Sequence, residues 1–468
     1  MTNNISYEKI NDYIGYDVEE IKERIKSIFA NAGDSDSINT EEVARLILQL
    51  ITLVRNEQDG QLYIYNQNGK YDIAEEWLLE SLFKFILNQG GYPWGLKFER
   101  EALGALKRDS TTVIKEFNNI NALNFKNGVF DLDSGKLIPH SPNNSLFTTI
   151  LGYSYDKNAK CPIFEKFIDE TVCYDKQLKI VIQEVFGYCL STRTDAEKAF
   201  FFHGTGCNGK SVLDSIMQSV IGEEQSCAIS LESLNKTFSM SGFIGKRLNI
   251  AAENEKLTNS EKLKTLISCD RINIPVKYRD DWTGKLYCKH IFLMNSLPTT
   301  PDVTNGFFRK IMIIPFRNIV SPEKIDSNLS KKLLSELPGI FNWAYNGYLR
   351  LVNNHFKFSQ CVAIDSIMEE YKNRENPTGE FFHSTYEVCP ENKIKKSSIY
   401  EKYVEWSADT GHTLMSRNKF YNALQLKASE TDSGINLDYR KINGYMYLVG
   451  YQEINPKNKD DDPIQYDW

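Results

Sequence analysis

The chain has 468 residues, 41% apolar and 25% charged, the balance of an ordinary globular protein of about three domains. It holds no run of eighteen apolar residues, and Met1 to Glu8 lack a basic end followed by an apolar core, which argues against a transmembrane helix and a signal peptide. A net charge of −7 lends nucleic-acid binding no general support, and nine scattered cysteines without a C-x-x-C pair argue against a zinc ribbon and for reduced thiols in a cytoplasm.

Residues 1–100 read as a separate accessory module. Val43, Leu46, Ile47, Leu50, Ile51 and Val54 recur at helical spacing over Glu41 to Val54. Leu62 to Tyr65, the turn Asn66 to Gly69 and Tyr71 to Ile73 predict a hairpin, and Trp77 to Leu87 a second helix. The module offers no carboxylate pair with a supporting His, so priming chemistry is not expected from it. Residues 101–190 read as a mostly helical region, with helical spacing from Pro162 to Cys189. Asp131 and Asp133 are spaced like a metal pair but sit before Ser134-Gly135, and a turn capped by aspartates is the better reading.

Residues 191–358 carry the strongest signal. An apolar strand from Lys198 to His203 runs into Gly204-Thr205-Gly206-Cys207-Asn208-Gly209-Lys210-Ser211, and Val212, Leu213, Ile216 and Val220 then recur at helical spacing. This is the phosphate-loop pattern in its strand–loop–helix setting. Glycines let backbone N–H groups turn toward a triphosphate, Lys210 reaches its outer phosphates, and the Ser211 hydroxyl can hold Mg²⁺. Cys207 reads as a small residue of the loop. Three further apolar strands follow, Arg247 to Glu253, His290 to Asn295 and Ile311 to Phe316. Strands alternating with helices predict a parallel, three-layer α/β domain with its chemistry at the strands' carboxyl ends. Glu253, ending one strand, is the candidate to orient or deprotonate the attacking water and to assist at Mg²⁺. Asn295, ending another, can bond both γ-phosphate and water. Arg309 is the candidate transition-state arginine, with Lys310 as the alternative. Between Glu253 and Asn295, a hairpin with Lys277, Tyr278, Arg279 and Lys285 about its turn mixes cations and rings, as single-stranded DNA requires.

Helical patterns over Ile325 to Leu351 and Val362 to Asn373 close this part, and Asn376-Pro-Thr-Gly379 predicts a boundary. Residues 376–453 read as a winged-helix-like unit: helices over Lys396 to Trp406 and, capped by Ser416, over Arg417 to Lys427, then strands joined across Asn443-Gly444. Arg417, Lys419, Arg440 and Lys441 are its candidate DNA contacts. The acidic tail 454–468 reads as disordered.

In this order, these elements resemble the superfamily 3 helicases of the D5/P4 type, found in phages, plasmids and mobile islands. Gly204 to Ser211 resembles their motif A, Leu248 to Glu253 motif B, Leu263 to Asp270 with Lys277 the B′ region, Phe292 to Pro298 motif C, and Gly306 to Phe316 the arginine-bearing segment. The resemblance implies an AAA+-like P-loop core, a homo-hexameric ring with ATP and Mg²⁺ at subunit interfaces, 3′-to-5′ movement on single-stranded DNA, and a role in replication initiation of a mobile element in a bacterial host's cytoplasm. Ala252 stands where many AAA+ proteins carry an Asp, which shifts magnesium binding toward Ser211, water and phosphates. Two further classes stay open: an origin-binding ATPase that melts DNA without processive unwinding, and an ATPase acting on protein.

Overall fold

The computed structural model describes residues 10–31, 40–90, 95–109, 112–118, 120–206, 208–252, 257, 259–278, 280–300, 302–319, 321, 323, 326–430 and 433–454. All but one residue of the acidic tail therefore lies outside the described residues.

The first unit packs helices α1 (Val18–Asn31), α2 (Thr40–Leu50), α3 (Glu76–Gly90) and α4 (Leu96–Asp109) beside a sheet of β1 (Leu53–Asn56), β2 (Leu62–Asn66), β3 (Lys70–Ile73) and β4 (Val113–Ile114). The hairpin expected over residues 62–73 is present as β2 and β3. The helix expected to reach Val54 stops at Leu50, because Leu53 and Val54 pair with Ile64 and Tyr63 of β2. Ala102, Leu103 and Leu106 of α4 share one core with Ile25, Val43 and Leu82. Hence this unit runs past residue 100 to β4.

The next region is less helical than its spacing suggests. It opens with an antiparallel sheet of β5 (Ala122–Phe125), β6 (Gly128–Asp131) and β7 (Lys136–Ile138), and only then forms α5 (Pro162–Thr171) and α6 (Lys176–Leu190). Asp131 accepts from the Ser134 N–H at 2.6 Å, and Asp133 from Asn121 and the Tyr348 hydroxyl, so both aspartates serve the turn.

The central domain holds β8 (Ala199–His203), α7 (Lys210–Ile221), β9 (Ser226–Cys227), β10 (Leu248–Ala251), α8 (Ser260–Ser268), the hairpin β11 (Ile272–Ile274) and β12 (Trp282–Gly284), β13 (Lys289–Met294), α9 (Asn305–Phe308), β14 (Ile311–Pro315), α10 (Leu329–Leu334), α11 (Leu337–Asn353) and α12 (Val362–Glu375). Five strands form a parallel sheet in the order β14-β8-β13-β10-β9. Alternate residues face opposite layers, as the strand period requires. Phe200, Phe202, Ile250, Ile291 and Ile314 pack with Val185 of α6, Leu213 of α7 and Phe341 of α11. Phe201, Phe292, Met294 and Ile313 pack with Leu263 of α8 and Tyr371 of α12. The expected three layers are therefore present, with every β8 and β13 strand end on a common edge.

The last unit comprises α13 (Thr378–Thr385), β15 (Tyr386–Lys395), α14 (Lys396–Thr410), α15 (Arg417–Ala428), β16 (Tyr439–Ile442) and β17 (Tyr445–Glu453), with sheet order β15-β17-β16. Asn443 and Gly444 take left-handed backbone (φ 48° and 85°), which lets the two-residue turn match the strands' twist. Asn376, where the last unit was expected to begin, is buried and donates to the Ala423 carbonyl of α15, which ties it to that unit. One expectation changes. Ser416 stands at the N-cap of α15 but makes no side-chain cap bond.

Candidate functional site

The loop after β8 closes against its own sheet. Gly204 donates to the Met294 carbonyl of β13, and a Cβ at Gly204 would strike the Phe316 carbonyl. Gly209 takes φ 84°, left-handed, and from there the chain enters α7 at Lys210. Asn208, buried, ties the loop by donating to the Thr205 carbonyl at 2.8 Å. Thr205, Gly206 and Ser211 are exposed, and Val212 is half-buried. Cys207 lies outside the described residues.

Lys210 is only 6% exposed, and burial lowers its pKa. Its ammonium donates to the Gly204 carbonyl and, at 3.4 Å, to Oδ1 of Asn295. The neighbouring strands β8 and β13 thus deliver Lys210 and Asn295 to one point. His203, at the end of β8, is held neutral by burial and by the nearby Lys210 charge. The point opens into a cleft of about 1070 Å³. Its walls include Ser211 and Asn295, Ile163, Phe167 and Thr171 of α5, and Leu329 of α10. Sequence reasoning missed the α5 wall, since nothing in an amphipathic helix reveals which neighbour its half-exposed side faces.

Glu253 lies outside the described residues. The strand before it, β10, pairs Ala251 with Phe292 of β13, so its carboxyl end belongs to the same edge as the loop. Among the described residues no group of three or more His, Cys, Asp or Glu side chains could hold a metal ion. The exposed Ser211 hydroxyl, which lines the cleft, suits Mg²⁺ as one ligand beside phosphate oxygens and water.

Arg309 and Lys310 separate clearly. Lys310 is 7% exposed, paired with Glu197 at 2.8 Å and bonded to Ser268, which makes it a structural cation. Arg309 is exposed, with no ion pair among the described residues. It precedes β14, whose Ile311 pairs with Ala199 at the start of β8. Arg309 and the loop after β8 therefore flank opposite ends of a five-residue strand, ~17 Å apart along it.

The central hairpin β11–β12 presents Tyr278 fully exposed with left-handed backbone (φ 62°) at its tip. The Lys277 ammonium lies 5.5 Å from the Phe238 ring centre, and Lys285 is exposed. Arg279 lies outside the described residues. In the last unit Arg417, Lys419 and Lys441 are exposed, whereas Arg440 is paired with Asp438 at 2.8 Å and offers a partner less charge than expected.

Two buried cations were also invisible to sequence reasoning. Arg247, 3% exposed, donates to the carbonyls of Leu190, Asn118 and Ile120. Lys289, 2% exposed, donates to Ser191 and Tyr287 carbonyls, and burial pulls its pKa to about 8. Both meet the C-terminal end of α6, where helix carbonyls attract positive charge.

Comparison with known proteins finds three matched stretches: "D5 N terminal like" over residues 99–173, a family of unknown function, DUF5906, over 202–310, and "Poxvirus D5 protein-like" over 373–458. A protein of Acanthamoeba polyphaga mimivirus, "Putative helicase L207/L206", is 26% identical over 235 residues, 47% of this chain. The match spans only 24% of that relative's length. Two apo structures of the NrS-1 C-terminal region share the fold, with TM-scores of 0.52 and 0.51 at 13% identity. They cover 87% and 88% of this chain and 98% and 99% of their own. The chain is thus similar to D5-type proteins along separate stretches and carries a mixed α/β fold built on a parallel sheet. No helix among the described residues is long and apolar enough to cross a membrane.

Proposed function

We propose that the chain is an ATP-driven DNA motor of the superfamily 3 helicase type, with an AAA+-like P-loop core, acting in replication initiation of a mobile element. The observation that carries this reading is the meeting of Lys210 and Asn295 at 3.4 Å across adjacent strand ends, at the mouth of the cleft. The similarity to a mimivirus protein named as a helicase supports it.

Each residue's task follows from its chemistry. The Lys210 ammonium, leaning on a single loop carbonyl and an amide, exchanges these neutral partners for the β- and γ-phosphate oxygens, a stronger charge-assisted pairing. Backbone N–H groups at the start of α7 meet the same anion. Asn295 positions the γ-phosphate and the attacking water, and Glu253 orients or deprotonates that water. Ser211 would hold Mg²⁺, which supplies charge neutralisation on the phosphates. The nonpolar wall of Ile163, Phe167 and Leu329 suits the base.

Arg309 stands too far along β8 to serve its own nucleotide, and it serves a neighbour's; a homo-hexameric ring satisfies both ends of this arrangement. Lys277, Tyr278, Arg279 and Lys285 then face single-stranded DNA in the ring's channel. Forked duplexes with a single 3′ or 5′ tail test the proposal. ATP-dependent unwinding from the 3′ tail is expected, lost in Lys277→Ala while basal ATP hydrolysis persists. Hydrolysis with no unwinding of either fork would leave an ATPase that is not a helicase.

A further inference from the structure

The last unit contains a second anion-binding arrangement, which joins Arg417, named above, to residues not considered so far. A notch of about 310 Å³ opens where β15 passes into α14, beside the start of α15 and the β16–β17 turn. Lys395, Lys396 and Arg417 bring three cations to it, with Tyr421, Tyr445 and Met446 completing its walls. No carboxylate among the described residues lines it.

None of the three cations has an ion-pair partner among the described residues, although pairs with acids occur nearby at Arg440–Asp438 and Lys427–Glu430. Rings hold them instead. The Lys395 ammonium lies 4.1 Å from the centre of Tyr445, Lys396 lies 4.6 Å from Tyr421 and 4.6 Å from Tyr439, and Arg417 lies 5.1 Å from Tyr400. A ring face orients a cation without cancelling its charge. The Tyr421 hydroxyl also bonds the Lys396 carbonyl, which fixes the strand-to-helix junction against α15. Both helices begin here, at Lys396 and Arg417, and neither has a side-chain N-cap, so their leading N–H groups add to the positive field.

The geometry points to a site for one nucleotide of an unpaired DNA strand: its phosphate between Lys395, Lys396 and Arg417, its base on Tyr445. Tyr445 and Met446 are 56% and 39% exposed at the rim. A base within a duplex keeps its faces against its neighbours, whereas an unpaired base has a face free for such a ring. The notch is concave and of nucleotide size, which suits a splayed strand and not the convex surface of a double helix. This inference rests on the proposed action on DNA and adds a second strand contact, outside the motor, to that reading.

The test uses the full chain carrying Lys277→Ala, which weakens the motor's own strand contact. Binding of an oligothymidylate of about 20 nucleotides and of a blunt duplex of equal length is followed by fluorescence anisotropy across salt concentrations, with thermal melting as the check on folding. Lys395→Ala/Lys396→Ala should weaken single-strand binding by about tenfold and reduce the salt slope by about 0.7, one phosphate contact. Tyr445→Ala should weaken it on the order of tenfold, and Tyr445→Trp should restore it. Duplex binding should change by less than about twofold. Equal losses on duplex would overturn the inference in favour of a duplex contact. Losses in the lysine variant alone, with Tyr445→Ala unaffected, would leave an anion site without a base. Unchanged single-strand binding in both folded variants would remove the notch alone if the parent still binds DNA. A parent that binds neither DNA, while the chain with Lys277 intact binds the single strand, would sink this inference alone; no binding by either chain would sink the proposed function as well.

Discussion

The two edges of the central sheet treat positive charge in opposite ways. At the amino edge Arg247, Lys289 and Lys310 are buried and bonded: Arg247 to three carbonyls, Lys289 to two, and Lys310 to Glu197 and Ser268. At the carboxyl edge Lys210 is as deeply buried, yet it has no acidic partner among the described residues and sits at an open cleft. Burial alone therefore does not mark a functional cation. What separates the edges is whether the surroundings complete the charge or leave it for a ligand. Arg309 makes a third case, a cation on the sealed edge that stays outside the seal.

Substitutions can break this contrast at several points. The largest effect is expected at Arg309→Ala, a loss of ~10³-fold or more in ATP hydrolysis by the assembled protein with nucleotide binding retained. Mixing those subunits with Lys210→Ala subunits should recover part of the activity; no recovery at any ratio would refute action in trans. Lys210→Ala should cost hydrolysis ~10²- to 10³-fold while leaving thermal stability nearly unchanged, because its partners are a loop carbonyl and a solvent-facing amide. A large fall in melting temperature would place Lys210 with the structural cations. Arg247→Met should show the reverse, a stability loss of about 2–4 kcal/mol in urea unfolding with activity per folded molecule retained, since three carbonyls lose their donor.

The smallest effect depends on pH. His290 is buried between Phe243 and Phe292 with neither ring nitrogen bonded among the described residues, and burial holds its pKa near 3. The unfolded chain protonates this ring below about pH 6.5 while the folded chain does not, so its stabilising share is complete above that value and is lost as pH falls toward 3. His290→Phe should gain on the wild type by roughly 2 kcal/mol at about pH 5 relative to neutral pH. Parallel stability–pH curves for the two would show that His290 is not buried neutral.

Much of the fold was legible in the chain because local chemistry dictates it. The spelling of Gly204 to Ser211 requires a strand before and a helix after, and Asn443-Gly444 requires a tight hairpin. The strand β15 was not legible: after the buried Tyr386, most of its side chains are exposed, so no period of two marks it, and only pairing with β17 makes it a strand. Helix Leu96–Asp109 likewise shows an apolar face but not its owner; contact with Val43 and Leu82 assigns it to the first unit.

By itself the sequence determined a glycine-rich loop spelled like a phosphate loop, apolar strands on which Asn295 and that loop could meet, and two hairpins with basic residues about their turns. These are properties of spacing and side-chain type, which any neighbourhood must respect. Tertiary structure decided which cations are spent internally. It seals Lys310 with Glu197, couples Arg440 to Asp438, and leaves Arg309, Lys395 and Lys396 without an acid among the described residues. The reason is physical: a charge is neutralised by groups within a few ångströms in space, and such neighbours, 113 residues apart for Lys310 and Glu197, are brought together only by the fold.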